Sequence, residues 1–311
     1  MYHSVICKTQ PLGEALLRCA QQQLLKRNCS AASSVLSNFE TLAIKVPKPF
    51  VYHVELNRPE KLNAMNNKMW MEIGKCFDEL SQHPECRAIV LSAAGKLFCA
   101  GIDLNDMSSM GAEIGEHDDV ARRCKVLDKK IKAYQDSISS LEKCCKPVIG
   151  AIHSACVGGA VDLITAADIR YCSKDAWFQV KEVDIGMAAD VGTLQRLPRA
   201  IGSSSLAREL AFTARKMQAS EAKDCGFVSR VFDDKESLVN GAIEIAADIA
   251  SKSPVAVQGT KLNMVYSADH TIQEGLDHIR FRNMTMLQSE DFLEAVMAQA
   301  TKGDPPKFSK L

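Results

Sequence analysis

Residues 50–56 (FVYHVEL) alternate apolar and polar side chains, the period of a half-buried strand. Pro59 interrupts that alternation within NRPEKLNAM, and apolar residues then recur at helical spacing over about 66–82. A buried strand is predicted at 87–92 (RAIVLS), followed by a glycine-bearing loop, AAGKLFCAGIDL. A long periodic stretch over about 118–144 reads as helix, and Pro147 introduces a short strand, VIGAIH. Gly158 and Gly159 precede a helix running to about residue 167, and IRYC (169–172) is the next strand.

Strand, loop and helix in repeated order predict an α/β chain. From about Gly192 to Ala300 the period is almost wholly helical, with FVSRVF (227–232) as the one expected strand. Lys252-Ser253-Pro254 separates two of those helices, with Pro254 placed as a first helical residue. The expected layout is a leading segment over 1–40, an α/β core over 41–245 and a helical C-terminal region over 246–311.

Composition narrows the function class. An apolar fraction of 46% over 311 residues supports a large core without disulfides or metal. Lys+Arg and Asp+Glu both number 38, which argues against a general nucleic-acid binder. The 12 cysteines are scattered, none in C-x-x-C spacing, and several sit in apolar runs, as Cys156 and Cys172 do. They read as reduced, buried thiols, with no metal site expected. No apolar run reaches the length of a membrane span.

Both ends carry address-like features. The first forty residues hold Lys8, Arg18, Lys26 and Arg27 against Glu14 and Glu40, and resemble a mitochondrial transit segment. The final Ser309-Lys310-Leu311 is the tripeptide read by the peroxisomal import receptor. The expected locations are therefore mitochondrion and peroxisome.

Candidate chemistry concentrates between residues 154 and 197, where Asp162, Glu182 and Asp190 stand among glycines and apolar residues. An acid with poor hydration holds its proton more tightly and exchanges it near neutral pH. Two loops, FCAGIDL (98–104) and VGGA (157–160), can each present a backbone N–H to one anionic oxygen. Acids beside bare amides suggest proton transfer on a carbonyl compound. Local readings compete: Glu182 paired with Lys181, and Asp190 capping a helix over about 193–197. His153 is expected to be structural and Asp184 a surface or salt-bridged acid. Lys96 suits either a phosphate contact or a solvated loop.

Four separated stretches, NRPEKLNAM, GKLFCAGIDL, GGAVDLITAADIRY and FQVKEVDIGMAADVGTLQRLPRAIG, together resemble the enoyl-CoA hydratase/isomerase (crotonase) superfamily. The resemblance runs from about residue 50 to at least 231. It implies a spiral of repeated ββα units with a helical C-terminal trimerisation region, assembled as a homotrimer or homohexamer. It also implies an acyl-CoA thioester substrate, with no cofactor beyond the coenzyme A that the substrate carries. The oxyanion donors implied are the N–H groups of Ile102 and Gly159, with Ala100, Gly101, Asp103 and Leu104 shaping the substrate loop. Ala160 replaces the third glycine common in the family.

The acids indicate the branch. Hydratases of the family carry two glutamates; here the first position holds Asp162 and the second Glu182. Where hydratases have P-G-A-G-G, this chain has Ala189-Asp190-Val191-Gly192-Thr193. That arrangement resembles the Δ3,5-Δ2,4-dienoyl-CoA isomerases of the superfamily, which act in β-oxidation of unsaturated fatty acids. By the resemblance Asp190 removes a proton at C2 and Glu182 delivers one at C6, while Asp162 is drawn back from the substrate. The competing activities are enoyl-CoA hydration, Δ3-Δ2-enoyl-CoA isomerisation and a non-catalytic RNA-binding role on the same fold.

Overall fold

A computed structural model describes residues 36–311, so most of the transit-like segment lies outside the described residues. Two strands, β1 (Leu42–Lys48) and β2 (Val51–Leu56), open the fold as an antiparallel pair. Helix α1 (Asn67–Gln82) is capped by Asn66, whose side chain accepts the Met69 N–H, and buries Met69, Trp70, Ile73, Phe77 and Leu80 along one stripe. Strand β3 (Ala88–Ala93) is followed by two helices, α2 (Leu104–Gly115) and α3 (Val120–Lys143).

Next come β4 (Val148–Ile152), β5 (Ala155–Val157), the short helix α4 (Gly159–Thr165), β6 (Ile169–Ser173) and β7 (Trp177–Gln179). A 3-10 turn at Glu182–Ile185 leads to α5 (Thr193–Ala200) and α6 (Ser204–Thr213). The two-residue strand β8 (Met217–Gln218), helix α7 (Ala219–Asp224) and strand β9 (Arg230–Phe232) complete the strand-bearing part. Four helices follow: α8 (Lys235–Ala250), α9 (Pro254–Ala268), α10 (Ile272–Met286) and α11 (Glu290–Thr301).

The main sheet runs β1-β2-β3-β4-β6-β9, parallel except for the first pair, and a small sheet runs β5-β7-β8. Central parallel strands are covered on both faces, so β3 and β4 are buried at every position. Alternation assigns their two sides. Ala88, Val90, Ile149 and Ala151 meet Leu238, Ala242 and Ala246 of α8, while Ile89, Leu91 and Ile152 join the larger core that contains α1. Helix α8 crosses residue 245 without a break, and residues 36–311 form one compact unit.

The strand–loop–helix rhythm expected from the pattern is present, with differences that have local causes. Strands β1, β5, β7 and β8 and helix α2 were not anticipated. Three of those strands have two or three residues, too few for a period, whereas α2 does carry Leu104, Met107, Met110 and Ile114 at helical spacing. FVSRVF forms strand only at Arg230–Phe232; its buried Phe227 and Val228 are loop residues packed into the core. Pro254 is the first helical residue, beneath a Ser253 cap.

Candidate active site

The two glycine loops are stitched together. Cys99 and Cys156 form an isolated parallel bridge, with Cys99 N–H donating to Ala155 O at 3.0 Å and Val157 N–H to Cys99 O at 3.1 Å. Gly101 has φ +98°, and a Cβ there would sit 3.1 Å from the Val157 carbonyl, so only glycine allows this approach. Around Ile102, Met65 N–H donates to Gly101 O at 2.8 Å and Asp103 N–H to Met65 O at 3.1 Å. Ile102 is therefore fixed from both sides. Among the described residues, none accepts a hydrogen bond from the Ile102 or Gly159 N–H. Both residues line one cavity of about 440 Å³, together with Ala100, Gly101, Asp103 and Leu104.

Asp103 anchors its loop in two ways. One carboxylate oxygen accepts the Asn105 N–H at 3.1 Å, capping α2. The other accepts from Arg58 Nη1 at 3.1 Å, and the same nitrogen also donates to Ala64 O at 2.5 Å. Arg58 thus ties the NRPEKLNAM segment to the oxyanion loop, a role the pattern alone did not reveal. The cavity is also lined by Trp70, against Gly159, stacked on Tyr134 with ring centroids 4.7 Å apart. These aromatic residues also went unassigned, because they are separated by most of two helices in sequence.

The three acids converge. Glu182 and Asp190 line the cavity, while Asp162 on α4 is fully buried behind it. Burial raises the Glu182 pKa above its ordinary value, and the nearby Asp190 charge adds to the rise. Glu182 Oε2 is buried with no hydrogen-bond partner. Burial likewise raises Asp190, which is half-exposed, and its backbone carbonyl accepts from Gln135 Nε2 of α3 at 2.7 Å. Asp162 is pushed up to about 7, first by desolvation and then by the Glu182 charge, against the lowering effect of the Thr193 N–H. That N–H donates to Asp162 Oδ1 at 2.5 Å, leaving Oδ2 buried and unpartnered.

The local competing readings fail on contacts. Lys181 pairs with Asp184 at 2.7 Å rather than with Glu182, and Gly192, not Asp190, is the N-cap of α5. Asp184 is thus salt-bridged, and His153 is structural: its buried ring pairs through Nε2 with Gly95 O at 3.1 Å. Cys156 and Cys172 are buried thiols, and burial holds the Cys172 pKa up at about 12. Among the described residues, no group of three or more His, Cys, Asp or Glu is placed to hold a metal ion, and no helix is long and apolar enough to cross a membrane. Ser309, Lys310 and Leu311 do not line the cavity. Arg87 Nη2 donates to Phe308 O at 2.6 Å and Ser309 O at 3.1 Å, and Lys310 pairs with Glu85.

Two carboxyls with raised proton affinity and two fixed N–H donors around a largely apolar cavity suit enolate chemistry, in which protons move at carbon while an oxygen carries the charge. Comparison with known proteins agrees. Residues 48–309 match the family model described as enoyl-CoA hydratase/isomerase. The chain is 55% identical over 276 residues to the mitochondrial Δ(3,5)-Δ(2,4)-dienoyl-CoA isomerase of Rattus norvegicus, covering 88% of this chain and 84% of that protein. It is 48% identical over 278 residues to the peroxisomal enzyme of the same name from Arabidopsis thaliana, covering 89% and 99% of the two chains. Among solved structures, an enoyl-CoA hydratase from Bacillus anthracis superposes with a TM-score of 0.78 at 27% identity, covering 87% of this chain and 99% of that one.

Proposed function

Because this chain belongs to the enoyl-CoA hydratase/isomerase family, we propose that its cavity isomerises 3,5-dienoyl-CoA to 2,4-dienoyl-CoA, in β-oxidation of unsaturated fatty acids. The carrying observation is Asp190, a second raised carboxyl on the cavity wall, near Glu182. Hydration needs two acids gathered on one water at adjacent carbons. A diene shift needs them at separated carbons, C2 and C6.

Asp190 as carboxylate removes a C2 proton, and the electron pair runs through the diene to the thioester oxygen. The Ile102 and Gly159 N–H groups stabilise that oxygen, each donor of this type being worth roughly 10²–10³ in rate. Glu182, whose proton affinity burial raises, gives a proton to C6 as the charge returns. Each positioned acid or base adds roughly 10²–10⁴. Every step uses side chains, backbone and substrate, and the coenzyme A portion belongs to the substrate.

The relatives bear mitochondrial and peroxisomal names, and this chain is assigned to the same two compartments. The C-terminal helices expose Leu276, Phe281, Met284, Leu293, Val296 and Met297. A patch of that kind supports burial against further copies in a homotrimer or homohexamer. The deciding assay follows conjugated 2,4-dienoyl absorbance from 3,5-octadienoyl-CoA. A rise well above a heat-inactivated control is expected; no rise, with hydration of crotonyl-CoA instead, overturns the reading in favour of a hydratase.

A further inference from the structure

The reaction leaves the site in the wrong protonation state. After one turnover Asp190 carries the proton taken from C2, and Glu182 has lost the one given to C6. Before the next substrate reacts, Asp190 must lose that proton and the buried Glu182 must regain one.

We infer that Asp162 is the proton store of the site, re-protonating Glu182 after each turnover and being refilled from Asp190. This rests on the isomerase reading above. Asp162 is 0% exposed and is not part of the cavity lining, so it touches no substrate. Its Oδ1 accepts the Thr193 N–H, three residues beyond Asp190 in the chain. Its Oδ2 is unpartnered, and so is the buried Glu182 Oε2. An unpartnered buried carboxyl oxygen is costly unless its group holds a proton, and these two belong to acids whose charges act on each other.

The electrostatics agree with the geometry. The charge of Glu182 and, more weakly, that of Asp190 both act on Asp162, and its carboxyl holds a proton up to about pH 7. The transfers balance without any further reactant. Asp162-COOH and Glu182-COO⁻ become Asp162-COO⁻ and Glu182-COOH. Asp190-COOH and Asp162-COO⁻ then become Asp190-COO⁻ and Asp162-COOH. Since it acts through Glu182, Asp162 is a positioning residue for the proton rather than a catalytic one.

The test is rapid mixing of the full chain with excess 3,5-octadienoyl-CoA, reading the first turnover separately from the steady state. Asp162→Asn keeps the shape and cannot store a proton. Its first turnover is expected within about threefold of the wild type, and later turnovers about tenfold or more slower, the usual scale for a lost proton-transfer partner. Asp162→Glu, which can store a proton, should restore the steady state. Should the asparagine variant not fold, Asp162→Ser with added formate reads the same split: formate accelerates later turnovers and leaves the first unchanged. Equal losses in burst and steady state, or a steady state indifferent to all three substitutions, overturn the inference. A wild type that forms no conjugated diene overturns the isomerase reading instead.

Discussion

Asp162 and Asp168 lie six residues apart, on α4 and just before β6, and have opposite surroundings. Asp168 Oδ2 accepts from the Val148 N–H and from Lys261 Nζ, each at 2.7 Å. Lys261 in turn donates to Leu141 O at 2.9 Å and Lys146 O at 3.0 Å, tying α9 to the end of α3 and the start of β4. Asp162 has one N–H, no cation and an orphaned oxygen. A paired carboxylate holds elements in place; an unpaired one, more deeply buried, keeps a proton available. The same residue type thus does structural or chemical work according to whether its partners are complete.

Removing the chemistry should have the largest effect. Asp190→Asn and Glu182→Gln are each expected to lower kcat by roughly 10²–10⁴ while circular dichroism stays native. Normal turnover in both would mean that the unpaired acids are as structural as Asp168. A Gly159→Ala change comes next. Its Cβ would lie 2.9 Å from Met65 Cε and 3.0 Å from the Trp70 ring, displacing the oxyanion N–H. The expected loss is roughly 10² in kcat with an overpacking cost of about 1–3 kcal/mol, read by steady-state kinetics and thermal melting.

Lys261→Met tests the paired side of the comparison. It leaves two carbonyls without their donor and Asp168 without its cation, at a cost of about 1–3 kcal/mol in denaturant unfolding. Activity per folded molecule should persist. The Asp168 side chain keeps 24% exposure, so water takes over part of what the lysine provided. A large activity loss at unchanged stability would contradict the division of labour.

The remaining prediction concerns the pH dependence of stability in Asp162→Asn. In the wild type the folded state binds the Asp162 proton up to about pH 7, whereas the unfolded aspartate releases it near 3.8. The contribution is present in full below pH 3.8 and is lost as pH rises through 7. Wild-type stability relative to the variant should therefore fall between about pH 4 and pH 7. A flat difference across that window would show that Asp162 is ionised throughout.

This contrast was half legible in the chain. Asp162, Glu182 and Asp190 announced themselves through apolar neighbours, and the two glycine loops through the strands that precede them. Asp168 sits in the same apolar stretch and looks no different, because its partner Lys261 is 93 residues away. Arg58, Gln135, Trp70 and Tyr134 escaped notice for the same reason: their roles are set by contacts between distant segments. The long, periodic elements were readable, whereas strands of two or three residues exist only through pairing with remote neighbours. Helix α2 is the counterexample, twelve residues long with Leu104, Met107, Met110 and Ile114 at helical spacing, yet not anticipated.

The bridge between Cys99 and Cys156 joins positions 57 apart (156 − 99), and its two strands are parallel, so no tight turn can bring them together. Contacts of such sequence separation are costly in loop entropy and form late. A chain still short of that closure has its acids but not its paired N–H donors. Turnover is therefore a readout of complete folding. Refolding that restores helix content ahead of activity would show the oxyanion hole closing last, with the partly folded chain inert toward thioesters.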